Sequence, residues 1–199
     1  MSISLSKGAT ISLSKVAGLR SVTMGLGWDA VQPPVKTGFF AKILSGASTP
    51  PAAIDLDASV IVFDAAKRVI ETVSFRQLKS ANGAIVHSGD NRTGEGDGDD
   101  ESIVIDLTAL PSNAVHLVFT VNSFTGQTFN EVDNAVCRLV DNTGCAEICR
   151  YTLSEKGAHT GVIMAVLTRA SGEWVMKADG TTMNGRVASE LAAQAQRII

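Results

Sequence analysis

VHLVFTVN, Val115 to Asn122, alternates residue by residue, and its reading decides the fold. At a period of two, Val115, Leu117, Phe119 and Val121 share one side of a strand, while His116, Val118, Thr120 and Asn122 share the other. The first face is expected to be core and the second partly wet. The same alternation recurs outward in both directions, in Arg20 to Gly27, Ala58 to Asp64, Val69 to Phe75, Ser102 to Leu107, Ala135 to Val140, Ala146 to Leu153, Gly161 to Ala170 and Glu173 to Ala178. Between these runs lie turn signals such as Asn82-Gly83, Asp141-Asn142-Thr143-Gly144, Ser171-Gly172 and Asp179-Gly180. Many short strands so spaced predict an all-β chain folded as an antiparallel β-sandwich. The string ISLSK occurs twice, at Ile3 to Lys7 and Ile11 to Lys15, on either side of Gly8, and predicts a hairpin-like start. A helix is expected over Val187 to Ile198, where Val187, Leu191, Ala195 and Ile198 recur at helical spacing, capping the sandwich.

With 199 residues and 45% hydrophobic content, the chain is expected to form one domain, residues 1–199. Residues 31–54 read as a loop insertion: four prolines (Pro33, Pro34, Pro50, Pro51) surround GFFAKIL at Gly38 to Leu44, and strands continue on both sides. Its apolar residues either fold back on the sandwich or meet a partner or a membrane surface. The net charge of −3, with no run of Lys or Arg, argues against a nucleic-acid partner. The longest uninterrupted apolar run, Val162 to Leu167, falls far short of the roughly 20 residues of a spanning helix. The N-terminus has no apolar core of a secretory signal, so a cytoplasmic location is expected. Cys137, Cys145 and Cys149 have no CxxC spacing, and they read as reduced thiols, Cys137 and Cys149 as core fillers.

The chemistry concentrates in GDNRTGEGDGDDE, Gly89 to Glu101, where six carboxylates (Asp90, Glu95, Asp97, Asp99, Asp100, Glu101) face one cation, Arg92. Carboxylates this dense raise one another's pKa values unless solvent disperses them or a cation neutralises them. Four glycines let the backbone wrap and turn carbonyls inward, as a hard cation demands. An EF-hand fails on positions: counted from Asp90, Arg92 and Gly94 stand where oxygen ligands belong, and Glu95 stands where the glycine belongs. Counted from Asp97, Ser102 replaces the glycine and Thr108 the final glutamate. A phosphate loop fails because no GK[ST] follows and the carboxylates repel phosphate. A cation held at one end of a sandwich requires further acids at strand ends, and these exist: Asp29 ends LGWD, and Asp55 and Asp57 share one face where IDLDAS begins. A simple solvated turn gives no reason for those three. Nine carboxylates exceed the needs of one Ca²⁺, which takes 6 to 8 oxygens including carbonyls and water, so two ions are expected.

GLGWD (Gly25 to Asp29), IDLDAS (Ile54 to Ser59), HSGDNRTGEGDGDDE (His87 to Glu101) and FTVNSFTGQTFNEV (Phe119 to Val132) resemble the TerD family of tellurium-resistance and stress proteins. The resemblance covers nearly the whole chain, and the insertion with GFF, VHSGDNRTG and SFTGQTF is more similar to the TerZ or TerX branch. It implies a C2-like sandwich, two Ca²⁺ sites and a bacterial cytoplasmic setting, at the inner membrane face where a complex forms. The partners implied are other Ter-family proteins and a TerC-type membrane protein. Carried over, the metal positions are Asp29, Asp55 and Asp57, with Asp90, Asn91, Thr93, Gly94, Gly96, Asp97, Asp99, Asp100 and Glu101 supplying carboxylates and carbonyls.

The leading function is a calcium-binding interaction module, with no enzymatic activity. A metal-dependent hydrolase using the same acids is the alternative; it needs a base in reach, and His87 beside the loop reads as a hydrogen-bonded structural residue. Thiol chemistry on tellurite is a third reading, which needs an exposed thiolate in an electropositive setting.

Overall fold

The structure, a computed structural model, describes residues 2–31, 54–92 and 98–199. Twelve strands among these residues are β1 (Ile3–Leu5), β2 (Thr10–Ser12), β3 (Ser21–Ala30), β4 (Leu56–Phe63), β5 (Val69–Val73), β6 (Ile85–His87), β7 (Glu101–Asp106), β8 (His116–Ser123), β9 (Val132–Asp141), β10 (Ala146–Thr152), β11 (Gly161–Ala170) and β12 (Glu173–Met183), followed by helix α1 (Ala188–Ile198). They form two six-stranded sheets, ordered β1-β10-β9-β3-β7-β6 and β2-β12-β11-β8-β4-β5. All neighbouring strands pair antiparallel except β1 with β10. The expected sandwich is therefore the observed one. Its core gathers Met24, Leu26, Ile103, Ile105 and Leu139 of the first sheet with Val60, Leu117, Phe119, Met164 and Leu167 of the second.

Three details differ from the sequence reading. The two ISLSK copies do not form a hairpin: β1 joins β10 in one sheet, and β2 joins β12 in the other. The chain crosses between sheets at Lys7 and Gly8, where Gly8 takes a positive φ of 81° and donates its N–H to Ala178 at 2.8 Å. Secondly, β6 is only three residues long, too short for alternation to register. Thirdly, the face of β8 expected to be partly wet is covered. Val118, Thr120 and Asn122 are fully buried, because α1 caps the sandwich by lying flat on the outer face of this sheet. Ala188, Leu191 and Ala195 pack there on Ile61, Phe63, Val118, Ile163 and Val166, a cluster separate from the main core. Covered on both faces, β4 is buried from Leu56 to Phe63, and its only polar residues, Asp57 and Ser59, lie toward the strand's start.

Cys137 and Cys149 are buried core fillers, and Cys145 is exposed; all three are free. Burial pushes the Cys137 thiol to about 12 and that of Cys149 to about 11, the opposite of what a reactive thiolate needs. No helix of the described residues is long and apolar enough to cross a membrane. Residues 32–53 of the expected insertion lie outside the described residues.

Candidate metal centre

Antiparallel pairing brings the end of β3, the starts of β4 and β7 and the end of β8 to one end of the sandwich, since Leu26 pairs with Glu101 and Asp57 with Asn122. The acidic limb before β7 is fastened there by backbone bonds. Asp100 N–H donates to Leu26 at 2.9 Å, and Trp28 N–H donates to Asp100 Oδ2 at 2.8 Å. Gly25 and Gly27, two apart on one face of β3, make room for this limb. A Cβ on Gly25 would overlap the Asp99 carboxylate, and one on Gly27 would lie 3.0 Å from the Gly98 carbonyl oxygen. Gly27→Val is therefore expected to lift Gly98 and Asp100 off β3 and to destabilise the protein by about 1–3 kcal/mol, read in a denaturant melt.

The sequence-predicted site residues divide into groups. Asp55, Asp57 and Asp90 converge, each offering an oxygen within 4.8 Å of the others. Asp57 is almost wholly buried, and burial, followed by repulsion from Glu101, Asp55 and Asp90, pushes its carboxyl up to about 7. Burial and then Asp90 also raise Asp55, whose Oδ1 is buried without a hydrogen-bond partner. Two unit charges at this separation repel by roughly 3 kcal/mol at an effective dielectric of about 20, whereas an exposed ion pair returns about 0.2–1 kcal/mol. Arg92, which is exposed and pulls on Asp55, therefore offsets only part of the repulsion.

Asp29 and Asp100 line a neighbouring cleft of about 290 Å³ with Gly27, Trp28, Gly98, Asn134 and Val136. Asp29 Oδ2 accepts from the Asn134 side chain at 2.7 Å. Asp100 is raised, first by burial and then, against the pull of Trp28 N–H, by Asp29, Glu101 and Asp99. Asn91 links the two groups, donating its N–H to Glu101 Oε1 at 3.0 Å and its side-chain amide to Asp100 Oδ1 at 3.2 Å.

Two further carboxylates are engaged by protein donors. Asp99 turns across Gly25 to Arg138, which pairs with Gly25 on β9 and grips it with Nε–Oδ1 at 2.7 Å and Nη2–Oδ2 at 3.0 Å. Glu101 sits beneath the convergent trio, its Oε2 accepting from Ala58 N–H at 2.7 Å and lying 3.5 Å from His87 Nε2. His87 accepts from Gly89 N–H at Nδ1, at 3.0 Å, and its Nε2 stands 3.0 Å from the Ala58 carbonyl oxygen, so both ring nitrogens brace backbone. Thr93, Gly94, Gly96 and Asp97 lie outside the described residues.

Sequence reasoning missed Arg138, Asn134 and the role of the two glycines. The alternating glycines of GLGWD were a readable sign of close backbone approach. Arg138 and Asn134 carried no local signal, because only the β3–β9 register brings them to the acids.

A donor set of carboxylate oxygens, with no described thiol or free imidazole in it, suits a hard cation such as Ca²⁺. The family model described as the TerD domain matches residues 1–194. The chain is 47% identical over 190 residues to tellurium resistance protein TerZ of Serratia marcescens, covering 95% of this chain and 94% of that protein. It is 41% identical over 192 residues to stress response protein SCP2 of Bacillus subtilis (strain 168), covering 92% and 94%. A crystal structure of a homologue of telluride resistance protein (TerD) from Streptomyces coelicolor A3(2) shares the fold, with a TM-score of 0.69 at 20% identity over 90% of this chain and 98% of that one.

Proposed function

The chain belongs to the TerD domain family of tellurium-resistance and stress proteins, and from that premise we propose that it is a calcium-binding interaction module and not an enzyme. The observation that carries this reading is the buried, unpartnered Asp55 Oδ1, set among Asp57 and Asp90 within 4.8 Å. A buried acceptor without a donor is costly, and a cation is the partner that suits three converging carboxylates. Asp55, Asp57 and Asp90 would hold one ion, and Asp29 and Asp100 a second. A bound ion supplies charge neutralisation. The chain's own residues supply the frame: Glu101 and His87 brace Ala58, and Arg138 draws Asp99 aside. With repulsion removed, the acidic loops become a fixed surface for another Ter-family protein or a TerC-type membrane protein, in the cytoplasm or at the inner face of its membrane. The non-enzymatic reading is supported by His87, the nearest base to the acids in sequence, whose ring nitrogens are both committed to backbone.

Thermal unfolding tests the proposal. Calcium at 100 times its dissociation constant stabilises the folded state by about 2.7 kcal/mol. For a chain of this size that is a rise of roughly 5–10 °C in the unfolding midpoint. An unchanged midpoint in millimolar calcium contradicts it.

A further inference from the structure

Asn122 lies at the end of β8, fully buried, and takes no part in the function described above. Its side-chain amide faces two ways. Nδ2 donates to the carbonyl of Arg186 at 2.6 Å and points to Asp57 Oδ2 at 3.5 Å. Arg186 immediately precedes Val187, the residue that opens α1 and makes no side-chain cap of its own. One buried side chain thus spans the distance between the acidic trio and the start of the C-terminal helix.

The hold on the helix is uneven along its length. At the far end Ala195 is completely buried and the Gln196 side chain donates to the Lys67 carbonyl at 2.8 Å, while Leu191, in the first turn, is completely buried as well. The end next to the acids covers polar strand surface: Thr120 Oγ1 and Asn122 Oδ1 are both buried without a partner. Unmet buried polar atoms cost stability, so the strand surface beneath the approach to Leu191 holds the helix start less well than an apolar surface would. Thr160 adds two bonds to the approach segment, donating its hydroxyl to Gly185 O at 3.2 Å and accepting Gly185 N–H at 3.1 Å, while Glu190 accepts Arg186 N–H at 2.8 Å. A helix start that covers unmet polar atoms, and is tied by one amide to a carboxylate repelled by its neighbours, responds to whatever settles that carboxylate.

We propose that Asn122 is the positioning residue that couples cation occupancy at Asp57 to the docking of the C-terminal helix, so that the start of α1 registers calcium. This rests on the calcium reading of the acidic trio. When the ion fixes Asp57, Asn122 is held between two immobile acceptors, and the Arg186 carbonyl is held with it. Without the ion, repulsion among Asp55, Asp57 and Asp90 loosens the start of β4 and, through Asn122, the approach to α1.

Hydrogen exchange on the full chain, read by mass spectrometry with and without saturating calcium, tests the coupling, with calorimetry on the same samples. In the parent protein calcium slows exchange across residues 184–192 about tenfold. In Asn122→Ala, at calcium saturating for that variant, the slowing at residues 184–192 is absent. Thr120→Val removes a neighbouring unmet hydroxyl off the path; it slows exchange at the helix start even without calcium and keeps the calcium response. Calcium binding with no change at residues 184–192 in the parent protein or in Thr120→Val overturns the coupling and leaves the calcium site standing. An undiminished response in Asn122→Ala also overturns it. No calcium binding at all overturns the site reading and the coupling together.

Discussion

Replacing Asp55 and Asp57 by asparagine weakens calcium binding by at least about 100-fold, a loss of about 2.7 kcal/mol, and in metal-free buffer raises the unfolding midpoint by several degrees. Both effects have one cause. In the absence of an ion these two acids, with Asp90, form a trio whose oxygens lie within 4.8 Å of one another, and burial deepens the penalty on their charge. Asparagine keeps the size and an acceptor oxygen for Asn122 Nδ2 while removing the charge that both repels and binds. An ordinary structural substitution at a buried position lowers stability, so a variant that gains metal-free stability and loses the ion separates a binding site from a structural cluster. Calorimetry and thermal melts on the same samples check it. Lower metal-free stability with unchanged affinity would remove these residues from the site.

The pH response has the second largest expected effect. Asp57 titrates near 7 in the folded chain against an ordinary value of 3.8, so between those values the folded state holds a proton that the unfolded state has released. Stability from this group is therefore fully present below 3.8 and is lost as pH rises through 7. Asp55 and Asp100, also raised, act in the same sense. His116 and His159, lowered by burial, act oppositely, since each must shed a proton to be buried. The comparison of the parent protein with Asp57→Asn isolates the carboxyl: in metal-free melts the advantage of the variant grows from pH 5 to pH 8. Calcium affinity moves the other way, because a proton on Asp57 competes with the ion. It falls about tenfold for each unit of pH below 7, when one proton is displaced. A flat affinity profile between pH 5 and pH 8 would show that Asp57 does not bear on the ion.

Much of this architecture was legible because one face of each strand is core. Leu117, Phe119 and Val121 alternate with their neighbours, and that pattern located β8. The same strand also contained the correction. Val118, together with Ile61 and Phe63 on β4, is apolar on the outward face, and these residues are what α1 covers. Reading the Val118 face of β8 as partly wet hid the surface on which the helix lies. The repeated ISLSK was misleading for a different reason: a local repeat marks equivalent strands, and each copy here serves as an edge of a different sheet. In the site, the spacing of Asp55 and Asp57 foretold their shared face, whereas the turn of Asp99 toward Arg138 depends on the register that sets Arg138 beside Gly25. Long-range register is not written in any short stretch of sequence.

The measurement that tests the central claim most directly is calorimetric titration of calcium into the metal-stripped full chain at pH 7.5 or so. The account predicts saturable binding of two ions per chain, reduced to the weaker remainder in Asp55→Asn with Asp57→Asn. No saturable binding at millimolar calcium, or binding unaltered by that pair of substitutions, would contradict it.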